Sequence, residues 1–431
     1  MKENWIEIEL GRVLKTTSGG TPSRRKPEYY DGKIPWVKSG ELNYNLILDT
    51  EEHISEEAVK KSSAKLFPKG TLLIALYGAT IGKLAFLGTD ATTNQAVCGI
   101  YKSKILETKF LYYYLFHNRR KLIEKGTGGA QPNISQTILK QLPLVVTNLP
   151  IQRGIVAKIE QLFSELDNGI QNLQQAKEKL AVFRQAVLKK AFEGELTNNK
   201  NIEWVTINDI CEKVEYGTSN KSLTEGDIPV LRMGNIQNGR FDWEDLKYTD
   251  NQEEVEKFLL KKNDVLFNRT NSPEHVGKTA IFKEDRTAIF AGYLIRIDYY
   301  KDKISGEYLN YFLNSHTAKK YGNKVKSFGV NQSNINGTKL KTYPFPKTSL
   351  EEQHQIVQEI ESRLSVCDEM EKSIESSLKK AEALRQSILK KAFEGELLTE
   401  KEIDHCKQEP DWETAEELLE RIEKESKKTK N

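Results

Sequence analysis

Four short segments carry the side chains best suited to touching a nucleic acid. TPSRRKPEYY (21–30) sets Arg24, Arg25 and Lys26 in a row between turn formers and two tyrosines. Guanidinium and ammonium groups there can meet phosphates or the acceptor edge of guanine. GTGGAQPNIS (126–135) is a glycine-rich loop with Gln131, Asn133 and Ser135, and SFGVNQSNIN (327–336) carries Asn331, Gln332, Asn334 and Asn336. A carboxamide can donate to and accept from adenine at once in the major groove. FNRTNS (267–272) adds Asn268, Arg269 and Asn271 at the end of a predicted strand. Thr21, Ser23, Tyr77, Lys83, Asn220, Lys221, Arg232 and Lys278 complete the candidate DNA contacts. Asn and Gly in such loops can also supply nothing more than turn geometry. The loops recur at equivalent places in the two halves of the chain, which favours recognition.

Other chemistries leave no mark. There is no GxGxxG, no HExxH, no Asp/Asn-Pro-Pro-aromatic motif of amino-methyltransferases and no metal-spaced Cys/His set. GATIGK (78–83) and SPEHVGKT (272–279) approach a phosphate loop, but the first is one residue short and lacks Ser/Thr after the lysine, and the second has Ser272 where the first glycine should be. They are equivalent under the repeat described below, so the Gly-Lys pair reads as a shared tight turn. The carboxylates mostly alternate with lysines on helical stretches, the pattern of solvated faces. The expectation is a chain with no catalytic residues, cofactor or metal of its own.

The totals bound the answer more loosely. The chain has 431 residues, 38% of them hydrophobic, and 65 basic against 62 acidic residues give a net charge of +3. That balance excludes neither nucleic acid nor protein partners, because local patches matter more than totals. Cys98, Cys211, Cys367 and Cys406 form no CxxC pair, and no secretory signal opens the chain, so reduced thiols and a cytoplasmic location are expected. The longest apolar run, about 71–79, is too short to cross a bilayer.

The elements that must position these loops are written twice. FRQAVLKKAFEGEL (183–196) and LRQSILKKAFEGEL (384–397) agree at eleven of fourteen positions, 201 residues apart. Upstream, Gln131, Asn133 and Pro143 pair with Gln332, Asn334 and Pro344. Apolar or small residues at 155, 159, 162, 166, 170, 173, 176, 180, 183, 187 and 191, and again from 356 to 392, form the stripe of a long amphipathic helix. Each stripe needs a cover, and the other copy is the nearest match. Two antiparallel helices paired as a coiled coil between two α/β globular domains are therefore expected, with a pseudo-twofold internal repeat. The boundaries are 1–149 and 198–349 for the globular domains, 150–197 and 350–397 for the long helices, and 398–431 for a polar tail with room for a short helix. KFLYYYLFHNRRKLIEKG (109–126) and GEYLNYFLNSHTAKKYG (306–322) each read as one helix, and the 66–78, 83–88, 260–270 and 278–283 runs as strands.

With SGGTPSRRKPEYYDGKIPWVKSGEL (18–42), YGATIGK, TNQAV (93–97), LEEQHQIVQEIE (350–361) and the doubled LKKAFEGEL, the whole chain resembles the specificity subunit of type I restriction–modification enzymes. The resemblance implies two target recognition domains that read the two halves of a split double-stranded DNA site. It implies a coiled coil that sets the gap and docks two methyltransferase (modification) subunits, with motor/nuclease (restriction) subunits joining them. S-adenosylmethionine, ATP and Mg would belong to those partners, and no membrane is involved. The first helix start reads LPIQR (149–153) and lacks the glutamate kept at Glu352, a loss expected to weaken a cap. The second domain lacks Gly-Gly-Thr-Pro at its entry. The other reading is a non-catalytic scaffold or orphan paralogue that pairs methyltransferase subunits with no sequence preference.

Overall fold

The computed structural model describes residues 5–126, 133–197, 202–329 and 332–430. By contact the chain divides into two compact units, Met1–Gln171 with Leu378–Asn431 and Asn172–Ser377. The division falls inside both long helices, Leu149–Phe192 and Leu350–Phe393. Each unit therefore owns the start of one long helix, the end of the other and one globular part.

In the first unit a five-stranded sheet runs Thr16–Ser18, Val97–Ile100, Leu72–Ala75, Leu84–Leu87, Asn45–Ile47, antiparallel except for the last pair. A four-stranded sheet orders His53–Ile54, Ile34–Val37, Ala91–Thr93, Leu66–Phe67. The second unit repeats the core of this plan. Cys211–Tyr216, Leu294–Tyr299, Val265–Asn268 and Thr279–Ile281 pair antiparallel in the same order. Ile6–Glu9 pairs with Pro143–Val146, as Glu203–Thr206 pairs with Pro344–Lys347.

Both helices expected after the sheets are broken. The first is Thr108–His117 and Arg119–Glu124, parted at Asn118, whose buried amide donates to Tyr114 O at 2.9 Å. The second is Gly306–Leu313 and His316–Val325; Ser315 starts the new segment by accepting from Ala318 N at 3.4 Å.

Within the second unit Lys177 reaches Glu375 at 2.8 Å while Arg184 reaches Asp368 at 2.7 Å, so the two helix segments run antiparallel. The first unit has the equivalent pair, Arg385 on Asp167, with the Arg385 guanidinium 4.6 Å from the Phe163 ring centre. Here the expected stripe departs from the structure. Phe183 and Leu384 face outward, 48% and 51% exposed, because Arg184 and Arg385 take the inward positions at that turn.

Each long helix ends in a Schellman motif. Gly194 (φ 78°) donates to Ala191 O and Glu195 to Lys190 O; Gly395 (φ 72°) and Glu396 do the same to Ala392 O and Lys391 O. One residue before the cap, Phe192 is buried edge-on against Tyr308 and Phe312, and Phe393 against Phe110 and Tyr114. The doubled AFEGEL is thus a helix stop plus a core anchor. Its sameness has an internal cause, besides any surface it offers a partner.

The helix starts are clipped the same way. Gln152 is fully buried; it accepts from Glu107 N (2.8 Å) and donates to Ile105 O (2.9 Å) and Thr147 O (2.6 Å). Gln353 accepts from Ser305 N (2.8 Å) and donates to Lys303 O (3.0 Å) and Thr348 O (2.9 Å). The caps come from Asn148 and Ser349, which accept from Ile151 N and Glu352 N. The Glu352 carboxylate takes the Thr197 hydroxyl instead, so its absence from the first copy removes no cap.

The tail is more than one short helix. Glu400–Cys406 and Ala415–Lys430 dock on the first unit, with Leu418 and Ile422 fully buried in its core. Arg153 forks onto Asp411 at 2.6 and 2.9 Å, and Lys158 reaches Glu402 at 2.9 Å.

Candidate nucleic-acid interface

The basic loop of the first unit is anchored by two glycines. Gly19 N donates to Val97 O and Gly20 N to Thr93 O; a Cβ on Gly19 would stand 2.0 Å from Thr93 O. The second unit makes the same approach with different letters. Gly217 N donates to Leu294 O and Thr218 N to Phe290 O, and a Cβ on Gly217 would lie 2.1 Å from Phe290 O. Loss of Gly-Gly-Thr-Pro therefore leaves the geometry intact.

Beyond Gly20, the Thr21 hydroxyl donates to Gln95 and Ser23 O accepts from Lys26 N. Arg24 lies 4.1 Å from the Tyr30 ring centre and pairs with Glu52 at 2.5 Å, holding that carboxyl below the usual range. Lys26 sits against Tyr29. Among the described residues Arg25 has no ion-pair partner, and it is exposed. Tyr77 and Asn133 form a β-bridge, Lys83 reaches Asn43 at 3.1 Å, and Ser135 caps the short helix Gln136–Lys140. Gln131 and Asn331 lie outside the described residues.

In the second unit, Thr270–Asn271, Ser333–Asn334 and Ser327–Phe328 form a small sheet. It gathers Asn271 and Asn334, with exposed Gln332 next in sequence; Asn334 donates to Thr270 at 2.8 Å. Arg269 enters beside it, donating to Gly292 O at 2.9 Å, 5.0 Å from the Tyr216 ring centre. Asn268 does not face solvent: it is fully buried, and its side chain holds His275 O and Thr270 N. Lys278 reaches Gln237 at 3.3 Å. Burial pushes both Lys278 and Lys319 below the usual lysine range, and the charge of Lys278 lowers Lys319 further. Arg232 is tied to Asp245, Asn220 is held by Glu254, and Lys221 is exposed.

The two glycine–lysine turns are settled by their hydrogen bonds. Gly82 N is taken by Ala75 O and Gly277 N by Asn268 O, both at 2.8 Å, with φ of 70° and 91°. Neither amide is free to cradle a phosphate. Among the described residues no group of three or more His, Cys, Asp or Glu is placed to hold a metal ion, and no helix is long and apolar enough to cross a membrane.

Sequence reasoning missed a local charge excess. Residues 308–350 hold seven lysines and no acid, and residues 108–149 hold six basic residues against Glu124. Counting within halves, rather than over the chain, would have found it.

Two α/β units built on one plan, each closed by the ends of long paired helices and bearing a basic stretch, define a duplicated α/β architecture. The family described as type I restriction modification DNA specificity domain matches residues 2–175 and 199–380, and the chain belongs to it. It is 25% identical over 418 residues to the type I restriction enzyme EcoKI specificity subunit of Escherichia coli (strain K12), covering 92% of this chain and 90% of that one. It is 25% identical to the StySPI specificity subunit of Salmonella potsdam, with the same two shares of 92% and 90%. Among solved structures, a chain from a study of complex assembly and conformational transition of the type I R-M system has TM-score 0.72 at 18% identity, covering 92% of this chain and 100% of that one. The HsdS subunit from Thermoanaerobacter tengcongensis has TM-score 0.57 at 18% identity, covering 91% of this chain and 97% of that one. Both likenesses are of fold.

Proposed function

We propose that this chain reads a two-part duplex DNA site, one part per unit, and docks two adenine methyltransferase subunits, through which a motor/nuclease subunit joins. The observation that carries the reading is the repeated build: the same glycine approach, hairpin turn and basic stretch occur in both units, while the side chains they present differ. Arg25, Lys83, Arg269, Asn271, Lys278, Gln332 and Asn334 are the described residues we assign to DNA, with Asn268 acting through the hairpin it holds. The other candidates of the basic loop and turns shape those surfaces. The chain itself is non-catalytic and cytoplasmic in this reading, and S-adenosylmethionine, ATP and Mg are held by the partners.

Phe183 and Leu384 support the docking half of the reading. They occupy equivalent places on the two long helices and face outward. Apolar side chains repeated on two helix faces suit two copies of one partner.

The test is binding of duplex DNA by the full chain with its modification subunit. A site preferred over random duplex, with affinity falling steeply as salt rises, supports the proposal. Equal affinity for all sequences refutes it and leaves a scaffold.

A further inference from the structure

Phe328 is 75% exposed, more than any other large apolar side chain among the described residues. It does not sit on a loose end. Pairing of Asn271 with Ser333 and of Ser333 with Phe328 sets these three in one row across the small sheet, and directly opposed residues share a face. The alternate row is tied down: Asn334 donates to Thr270, and Lys339 donates to Ser327 at 2.6 Å. In the Phe328 row the Ser333 hydroxyl is buried with no hydrogen-bond partner. The Lys326 ammonium lies 5.4 Å from the Phe328 ring centre and is steered by Pro273 O at 2.9 Å.

A lone exposed apolar side chain needs no explanation by itself, but this ring is held on a paired strand, beside the Lys326 ammonium and in one row with a buried, unpartnered hydroxyl. The cover here must be apolar where it meets the ring and anionic around it, because Lys326 and Lys339 lie beside this hairpin and the 308–350 stretch holds seven lysines and no acid. The base stack of a duplex, flat and apolar between two rows of phosphate, has that chemistry. We propose that Phe328 is a wedge that enters the DNA at the half-site facing the second unit and unstacks one base step, while the flanking lysines hold phosphates. This rests on the DNA-reading proposal above. The equivalent stretch of the first half, GTGGAQPN (126–133), has no aromatic residue. The unstacking is therefore confined to one half-site.

The experiment places 2-aminopurine at successive positions of both half-sites, leaving out each target adenine and its immediate neighbours because a methyltransferase extrudes its own target base, and uses the full chain with its modification subunit. Binding should raise fluorescence at one or two neighbouring positions of one half-site. Phe328→Ala should abolish the rise and weaken specific binding roughly tenfold, the scale of losing one base–aromatic stack. Phe328→Trp should keep both. The melting temperature should not move, since the side chain is outside the core. A rise that survives Phe328→Ala with wild-type affinity overturns the wedge. So does sequence-preferring binding by the wild type with no rise at any position, which leaves DNA reading standing. No sequence preference in the wild type would instead defeat the reading on which the wedge rests.

Discussion

The ring of Phe393 meets the ring of Phe110 edge-on, with centroids 5.3 Å apart. The last turn of the second long helix thereby closes the core of the globular part that opens the chain. Phe192 plays the same part for the second unit through Tyr308 and Phe312. Replacing either phenylalanine by alanine should cost about 3–5 kcal/mol, the range for a large buried aromatic. Urea unfolding followed by hydrogen exchange should show Phe393→Ala loosening the first unit and Phe192→Ala the second. Loss spread equally over both units by each variant would contradict this assignment.

The buried carboxamides of Gln152 and Gln353 offer a sharper chemical test. Each accepts one backbone N–H and donates to two carbonyls. Gln152→Glu retains the acceptor, loses both donors and buries a charge. It should destabilise more than Gln152→Ala, for which about 1–3 kcal/mol is expected from the groups left unpaired. Denaturation midpoints of the two variants at neutral pH decide the order.

Gly194 and Gly395 have positive φ, so alanine there should cost about 1 kcal/mol. In Gly395→Ala the added Cβ would also stand 3.0 Å from the Trp5 ring, so the cost there should exceed that figure. A melting shift matching the conformational cost alone would argue against that contact.

The tail should leave the first unit in acid. Lys158 and the Thr399 cap hold Glu402 down at about 2, and Arg153 lowers Asp411. A carboxylate whose folded pKa is depressed stabilises fully above its unfolded value and loses that contribution as pH falls toward the folded one. Docking should therefore weaken from about pH 4.5 down to about 2, starting from the ordinary glutamate range. The emission of Trp412, half-buried beside this core, should red-shift over that window. In Glu402→Gln/Asp411→Asn the acid-dependent part should be absent.

Much of this architecture is legible in the sequence. The three-and-four spacing from Ile155 to Ala191 announces a long helix, and the doubled AFEGEL announces its partner. Periodicity reports which side of a helix is apolar, but not which polar side chain replaces an apolar one. So the exchange of Phe183 for Arg184 on the inner face is not legible. Nor are the Gln152 and Gln353 clips, for which two of the three partners lie about 45–50 residues away in sequence. The tail reads as polar because its apolar residues are few, yet Leu418 and Ile422 are fully buried. Of the candidate contacts, Asn268 reads like a base reader by type and is a hairpin brace by position. Phe328 gives no signal in the sequence, because a lone aromatic in a loop carries no pattern.

Mapping of methylated adenines made by this chain with its modification subunit tests the central claim most directly. The chain should yield one motif in two parts separated by unspecified bases. Exchange of residues 1–149 for those of another family member should change one part and leave the other as it was. A contiguous motif, no motif, or a change in both parts would contradict the assignment of one half-site to each unit.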